Sequence, residues 1–488
     1  MGNPVYRTSL ALLTDLYQLT MAYGYHRTGA AEQEAVFHLT FRKSPFGGEY
    51  ALACGLATAI DWLEDFHFAA DDLEYLATLT GSDDKPLFDD HFLAMLGVLE
   101  LACDIDAVPE GTVVFPHEPL IRVQGPLVHC QLLETALLNI LNFQTLIATK
   151  AARVCHEAQG DPVLEFGLRR AQGIDGGLSA SRAAFAGGCA ATSNLLAGKL
   201  YDIPVKGTHA HSWVMTFDSE LEAFAAYAGA LPNNCVFLVD TYNTVDGVRH
   251  AIEIGLLLRK QGAEMVGVRL DSGDLAELSI QARKLLDEGG FPEARIVASN
   301  DLNEQLIRDL KQQGAQINVW GVGTQLATAY DQPALGGVYK LAAIREPGED
   351  WRYKVKLSEQ AIKISNPGVQ QVRRYLKDGK FLGDSIYDEP TGIAEPPSIL
   401  LGEPLPRTVT FDAADDSTDL LVPIFRQGKR VYHPPRLTEV RERARQQLAG
   451  LSPAVTRLFN PAPYPVGLER SLYELKASLV AAAREGQV

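Results

Sequence analysis

The six cysteines of this 488-residue chain never fall in a Cys-x-x-Cys pair, which removes a zinc knuckle and a redox dithiol from consideration. Cys54, Cys103, Cys130, Cys155, Cys189 and Cys235 are scattered, a pattern that suits a reducing cytoplasm. Cys235 lies inside an apolar run and reads as a small packing residue. No apolar run approaches membrane-spanning length. The start, Met1-Gly2-Asn3-Pro4-Val5-Tyr6, lacks the apolar core of a signal peptide. Tyr6 stands where a myristoylation signal needs Ser or Thr, so neither a leader nor a lipid anchor is expected. Positive charge is scarce: 44 Lys and Arg against 61 Asp and Glu leave a net −17. Nucleic acid and anionic membrane are therefore not expected partners, and an anionic ligand must be met by local cations. What is present is 46% hydrophobic and 22% charged residues, the balance of a soluble globular protein. The length allows two or three domains.

Along the chain, Leu10, Leu12, Leu13, Leu16, Leu19, Met21 and Ala22 predict a helix within residues 7–30, with Thr14-Asp15 near its start. Residues 35–42 alternate as a strand. Residues 58–103 read as short helices with acidic linkers, and 104–130 as β-hairpins, giving an α+β lobe over residues 1–130. A long apolar helix follows at 131–153, with Lys150 and Arg153 in its last turn, where cations suit the dipole. Six strands are then expected at 163–167, 203–205, 235–239, 265–268, 295–298 and 317–320, with a seventh at 338–341. Helices fall between them, including 244–260, 275–288 and 302–313. Short alternating connections imply right-handed βαβ units and a parallel sheet. No Gly-x-Gly-x-x-Gly opens the first unit, so a barrel over residues 131–345, complete or incomplete, is favoured over a dinucleotide-binding sheet. Residues 346–488 shift to strand-like runs at 353–357 and 361–364, a hairpin at Lys377-Asp378-Gly379, and amphipathic helices at 436–449 and 468–484.

In a barrel of this kind all strand C-termini face one rim, where chemistry is placed. The stretch Gly207-Thr208-His209-Ala210-His211-Ser212-Trp213 brings two imidazoles there, groups able to take and release a proton or phosphoryl near neutral pH. Other strand ends bring Asp240, Asp271, Asp274 and Asp301, which can hold Mg²⁺ or sugar hydroxyls. Arg169, Arg170 and Arg269 can grip carboxylate or phosphate. Gly321-Val322-Gly323-Thr324 lets backbone N–H groups approach an anion, and residues 179–193 add hydroxyls and glycines. Singly, each has a plainer reading: Asp274 and Asp301 as helix N-caps, Arg269 with Asp271 as an internal salt bridge. Together they suggest a phosphate-bearing sugar and a carboxylate, with Mg²⁺.

Several long motifs in order resemble nicotinate phosphoribosyltransferase: Thr14-Asp15-Leu16-Tyr17-Gln18-Leu19-Thr20-Met21, Leu133–Asn139 with Ala148–Arg153, Glu165-Phe166-Gly167-Leu168-Arg169-Arg170-Ala171-Gln172-Gly173, Gly207–Trp213, Val239–Tyr242, Gly267–Leu275, and Gly321–Thr324 with Leu335–Leu341. The likeness runs from about residue 10 to 345 and weakens beyond. It implies a type II phosphoribosyltransferase fold: an irregular α/β barrel of parallel strands joined to an open-faced β-rich α+β domain, with a C-terminal extension packed on the amino-terminal lobe. It also implies that nicotinate and phosphoribosyl pyrophosphate give nicotinate mononucleotide and pyrophosphate, the first step of NAD salvage from nicotinate. ATP is implied as co-substrate, Mg²⁺ as cofactor and a homodimer as the assembly, with the site near the subunit interface.

Residue by residue, the resemblance makes His211 the phosphorylated histidine and leaves His209 at a variable position. It gives Tyr17, Thr208 and Arg269 to nicotinate and Thr324 to phosphoribosyl pyrophosphate. The full candidate set is His211, Asp240 and Asp271 as catalytic residues, and Tyr17, Phe166, Arg169, Thr208, Arg269, Ser272, Asn300, Gly321, Gly323 and Thr324 as substrate-binding residues. Whether Asp240 or Asp271 holds Mg²⁺ or the ribose stays open. The competing readings are a nicotinamide or quinolinate phosphoribosyltransferase, a catalytically inactive metabolite-sensing barrel, and an aldolase using Lys206.

Overall fold

The computed structural model describes residues 9–402, 406–412 and 415–486. The amino-terminal segment Met1–Tyr6, read above for leader and lipid signals, lies outside them. The chain forms two compact units, one from residues 147–333 and one from the two chain ends, 1–146 and 334–488. No described helix is long and apolar enough to cross a membrane.

The unit at 147–333 is built on six strands: β1 (Val163–Glu165), β2 (Ala191–Thr192), β3 (Val236–Leu238), β4 (Gly267–Leu270), β5 (Arg295–Ala298) and β6 (Val319–Val322). Their order is β2-β1-β6-β5-β4-β3, and every neighbouring pair is parallel. Helices Thr244–Lys260, Leu275–Glu288 and Glu304–Gln312 return the chain between strands β3 to β6. Their starts are fixed by Asn243, Asp274 and Asn303, whose side chains accept the N–H three residues on, the usual way to satisfy orphan donors. Asp274 is thus a cap, as its plainer reading had it, whereas the cap near Asp301 is Asn303.

The sheet curls into an irregular barrel whose seam is closed by a single segment. The 203–205 run, expected to be the second strand, supplies only one bridge, Val205 to Thr192; the strand proper is β2. Pro204 explains the shortness, because it has no N–H to donate. Pro204 O accepts from Thr192 N–H, and Lys206 N–H donates to Thr192 O. On the far side, Leu238 N–H of β3 donates to His209 Nε2 at 3.2 Å. An imidazole thus replaces the main-chain acceptor that a regular neighbour would offer.

Lys150 and Arg153 do not end their helix, which continues to Glu157. Both are buried and reach Glu304, at 2.7 and 3.1 Å; full burial of a lysine requires such pairing.

The other unit carries a seven-stranded antiparallel sheet. Its order is Arg352–Tyr353, Gly337–Arg345, Glu34–Phe41, Ile121–Pro126, Asp104–Ala107, Val422–Arg426 and Lys429–Arg430. The strand expected as the barrel's seventh is therefore an antiparallel neighbour of Glu34–Phe41. Its mixture of Tyr, Lys and Val was compatible with either sheet, and only the pairing decides. Runs 353–357 and 361–364 were expected as strands. Strand structure there stops at Tyr353, and 361–363 forms a 3₁₀ turn. The hairpin at Lys377-Asp378-Gly379 is present, with Asp378 and Gly379 both at positive φ, the conformation of a tight two-residue turn. The first helix is Leu16–Thr28, and the C-terminal helices are Leu437–Gly450 and Arg470–Arg484.

Candidate active site

The C-terminal ends of β3, β4 and β5 converge, because parallel pairing aligns them in register. Arg269 lies beside Leu238 on one side and Val297 on the other. Side chains two residues on share a face, which brings Asp271 and Ser299 to the same rim as Arg269. There Arg269 makes three hydrogen bonds. Nε donates to Ser299 Oγ at 2.8 Å, Nη1 to Thr208 Oγ1 at 3.0 Å and Nη2 to Asp271 Oδ1 at 3.0 Å. Ser299 Oγ donates in turn to Asp271 Oδ1. The Arg269 side chain is only 17% exposed, and its guanidinium is fixed from three sides.

Asp240, at the end of β3, forms the second layer. Its Oδ2 accepts from Asp271 N–H at 2.9 Å and from Ser272 Oγ at 2.6 Å. Its Oδ1 is buried and has no hydrogen-bond partner among the described residues. An orphaned carboxylate oxygen of this kind is costly unless a ligand completes it. His211 opens the short helix His211–Met215. Its Nδ1 lies 3.1 Å from Thr241 Oγ1, and its Nε2 lies 3.8 Å from Asp271 Oδ2. One imidazole, two carboxylates and one guanidinium thus share a rim.

Phe166 follows β1, with its ring 5.8 Å from the Arg269 guanidinium carbon. The ring lies against Gly321, where an added Cβ would meet two of its carbons at 2.8 Å. Glycine is needed there for packing, whatever the loop does with anions. Beneath, Glu165 is buried and accepts from Ser181 Oγ at 2.8 Å and Thr192 Oγ1 at 2.6 Å, an anchor for β1 and β2. Gly323 precedes the four-residue turn Thr324–Ala327. Arg169 is exposed just beyond β1, outside the hydrogen-bonded group. Asn300 is exposed at φ 94° and is followed by Asp301 at φ 42°. Two successive non-glycine residues in the left-handed region are strained, and such strain gathers at functional sites. Tyr17 belongs to the other unit, where it is 47% exposed on helix Leu16–Thr28.

His209 is set apart from this group by its role in the seam. It is buried, and burial, followed by the nearby Arg269 and His211 charges, pushes its pKa below the ordinary imidazole value against an opposing Ala210 contact. Accepting from Leu238 N–H requires an unprotonated Nε2. The unfolded chain therefore takes this proton first. Stability is complete above the unfolded value of about 6.5 and falls as pH drops from there toward the folded pKa. His209→Gln keeps an acceptor and cannot titrate. Thermal unfolding scanned from about pH 8 to about pH 5 is expected to show a shallower loss in this variant than in the wild type. The remaining slope includes His38 of the other unit, whose pKa burial and Arg122 hold well below the usual range.

Two members of the rim escaped the sequence reading, Ser299 and Thr241. Thr241 directly follows the candidate Asp240, and Ser299 directly precedes the candidate Asn300. Only the register of β4 against β5 shows that Ser299 stands across from Asp271.

The unit formed by the chain ends has its own concavity. Its lining includes Arg42, His117, Lys340 and Lys363, together with His38, whose Nε2 accepts from Gln370 N–H at 3.2 Å and so is unprotonated. Lys340 is held below the usual lysine pKa, chiefly by burial. No group of three or more His, Cys, Asp or Glu positioned to hold a metal occurs among the described residues.

Three family models match this chain. They are the nicotinate phosphoribosyltransferase N-terminal domain over residues 12–142, the nicotinate phosphoribosyltransferase family over 163–352, and its C-terminal domain over 369–476. The nicotinate phosphoribosyltransferase of Bacillus subtilis (strain 168) is 42% identical over 477 residues, covering 96% of this chain and 94% of the relative. That of Homo sapiens is 37% identical over 533 residues, covering 96% of each. The crystal structure of human nicotinic acid phosphoribosyltransferase superposes with a TM-score of 0.83 at 34% identity, covering 96% of this chain and all of that one.

Proposed function

The chain belongs to the nicotinate phosphoribosyltransferase family, and from that premise we propose that it joins nicotinate to phosphoribosyl pyrophosphate, releasing pyrophosphate, with the reaction coupled to ATP through phosphorylation of His211. The observation that carries the reading is the Arg269 guanidinium, fixed by Ser299, Thr208 and Asp271 with N–H groups to spare. A carboxylate satisfies such a fork, whereas a carboxamide leaves part of it unpaired. That difference favours nicotinate by about 1.5–3 kcal/mol, the scale of a hydrogen bond to a charged group.

The Phe166 ring beside Arg269 offers a face for the pyridine, and Tyr17 is assigned to nicotinate on the family likeness. As the pyridine nitrogen bonds to ribose C1, the C1–O bond to pyrophosphate breaks. Positive charge grows on the sugar and negative charge on the leaving group. Thr324 with the backbone around Gly323 is assigned to the phosphoribosyl group, joined by Arg169, Ser272 and Asn300. The buried, unpartnered Asp240 Oδ1 and the neighbouring Asp271 fit an oxygen-seeking cation that takes one or two protein carboxylates. Mg²⁺ bound there would neutralise charge developing on pyrophosphate. Thr241 orients the His211 ring through Nδ1. A phosphoryl group on that imidazole stores the free energy of ATP and alters charge and order at the rim. A homodimer and a cytoplasmic location complete the proposal.

Calorimetric titration with nicotinate, nicotinamide and quinolinate tests the reading. Nicotinate is expected to bind at least about tenfold more tightly than nicotinamide. Equal binding of the two would remove the Arg269 argument, and preferred binding of quinolinate would move the chain to a sister activity. An inactive sensor is disfavoured by the intact set of His211, Asp240, Asp271 and Arg269.

A further inference from the structure

We propose that Ser299 is a positioning residue that sets the preference for a carboxylate over a carboxamide, by tying the Arg269 guanidinium and the Asp271 carboxylate together; the inference rests on the pyridine-binding role given to Arg269. Ser299 is 4% exposed. Its Oγ accepts from Arg269 Nε at 2.8 Å, and its proton goes to Asp271 Oδ1. The direction is forced, since an arginine N–H can only donate and an ionised carboxylate can only accept. Asp271 Oδ1 also accepts from Arg269 Nη2 at 3.0 Å, so the three side chains close a ring of hydrogen bonds.

A guanidinium carries five N–H groups. Nε commits its one proton to Ser299, Nη1 commits one of its two to Thr208, and Nη2 commits one of its two to Asp271. One proton remains on each terminal nitrogen, the pair a carboxylate takes in fork geometry. Without the hydroxyl of the buried Ser299, Nε–H and Asp271 Oδ1 each lose a partner. They can satisfy each other directly, because carboxylate and guanidinium pair bidentately. That rotation would draw terminal N–H groups toward Asp271 and away from a ligand. The hydroxyl therefore keeps an internal carboxylate from competing with the substrate's own.

The test compares wild type with Ser299→Ala and Ser299→Thr. It measures calorimetric affinity for nicotinate and nicotinamide, KM for phosphoribosyl pyrophosphate, and thermal unfolding. Ser299→Ala is expected to weaken nicotinate about tenfold, the scale of one hydrogen bond to a charged group. Nicotinamide affinity and the phosphoribosyl pyrophosphate KM are expected to stay within about twofold of wild type, and Ser299→Thr to retain the wild-type ratio. If Ser299→Ala does not fold, Ser299→Cys carries the test, its thiol being a weak acceptor of similar size. An unchanged nicotinate to nicotinamide ratio overturns the proposal, as does equal weakening of both ligands or a Thr variant that behaves like Ala. A wild type that binds nicotinate but forms no mononucleotide overturns the reaction and leaves the clamp standing. Normal turnover with an intact ratio in Ser299→Ala overturns the clamp alone, and a wild type that binds neither pyridine overturns both.

Discussion

Arg269→Ala is expected to lower kcat/KM for nicotinate by a factor on the order of 10²–10³, the range for truncating one partner of a desolvated charge pair. The loss has two sources. The substrate carboxylate loses its fork, and Asp271, which leans on Arg269 at 3.0 Å, is left as an uncompensated negative charge beside an incoming anion. Arg269→Lys should recover only a small part, because an ammonium is a point charge and cannot reach Ser299, Thr208 and Asp271 as a planar fork does. Nicotinamide kinetics serve as the internal control. A variant that loses nicotinate and nicotinamide activity in equal proportion would mean that Arg269 holds the rim together without reading the carboxylate. The measurement is steady-state kinetics on both pyridines at one fixed phosphoribosyl pyrophosphate concentration.

His211→Ala should abolish phosphoryl incorporation from ATP altogether. Intact-protein mass spectrometry after ATP incubation would find the wild type heavier by one phosphoryl group and the variant unchanged. ATP should also cease to tighten pyridine binding. The expected loss in apparent affinity is roughly 5–150-fold, the span of ordinary coupling free energies between sites. His211 is suited to this role by its surroundings. Thr241 orients one ring nitrogen, and the other lies 3.8 Å from Asp271, too far for a hydrogen bond that would commit it. Persistent labelling of His211→Ala would place the phosphorylated residue elsewhere and remove the coupling scheme. His209 offers no substitute, since its Nε2 is occupied by Leu238 N–H.

The barrel was legible where sequence period and caps agree. Thr244–Lys260 and Leu275–Glu288 match their expected bounds, because each joins a clear 3.6-residue period to a capping side chain and a last turn short of breakers. Five of the six barrel strands fall within a few residues of their expected places, but the second, expected at 203–205, is Ala191–Thr192, and the partners of the strands were not read. Tyr339 and Lys340 carry no local mark that assigns them to one sheet or another, and pairing with Glu34–Phe41 across most of the chain is a tertiary event. The same limit governs the rim. Arg269, Asp271 and Asp240 stood out as charges at strand ends, and they do share hydrogen bonds. Ser299 and Thr241 did not stand out, because a hydroxyl at a strand end is common and only register gives it a neighbour. Gly321 was noted as a backbone donor, while its contact with Phe166 follows from packing that no spacing encodes. Lys150 and Arg153 were read from helix electrostatics, yet their partner Glu304 lies on a distant helix.

The discontinuity of the larger unit sets the order of events on the ribosome. Arg345 follows Glu34 by 311 residues, and the two are joined by an ion pair on adjacent strands. While the chain is being made, the strand Glu34–Phe41 must wait with one edge open until the whole intervening stretch has emerged. The inserted barrel, whose strands neighbour only one another, can consolidate during that interval. An exposed strand edge is where nascent chains stick to each other. Slow elongation or truncation before residue 345 should therefore yield a soundly built barrel tethered to an adhesive half-sheet.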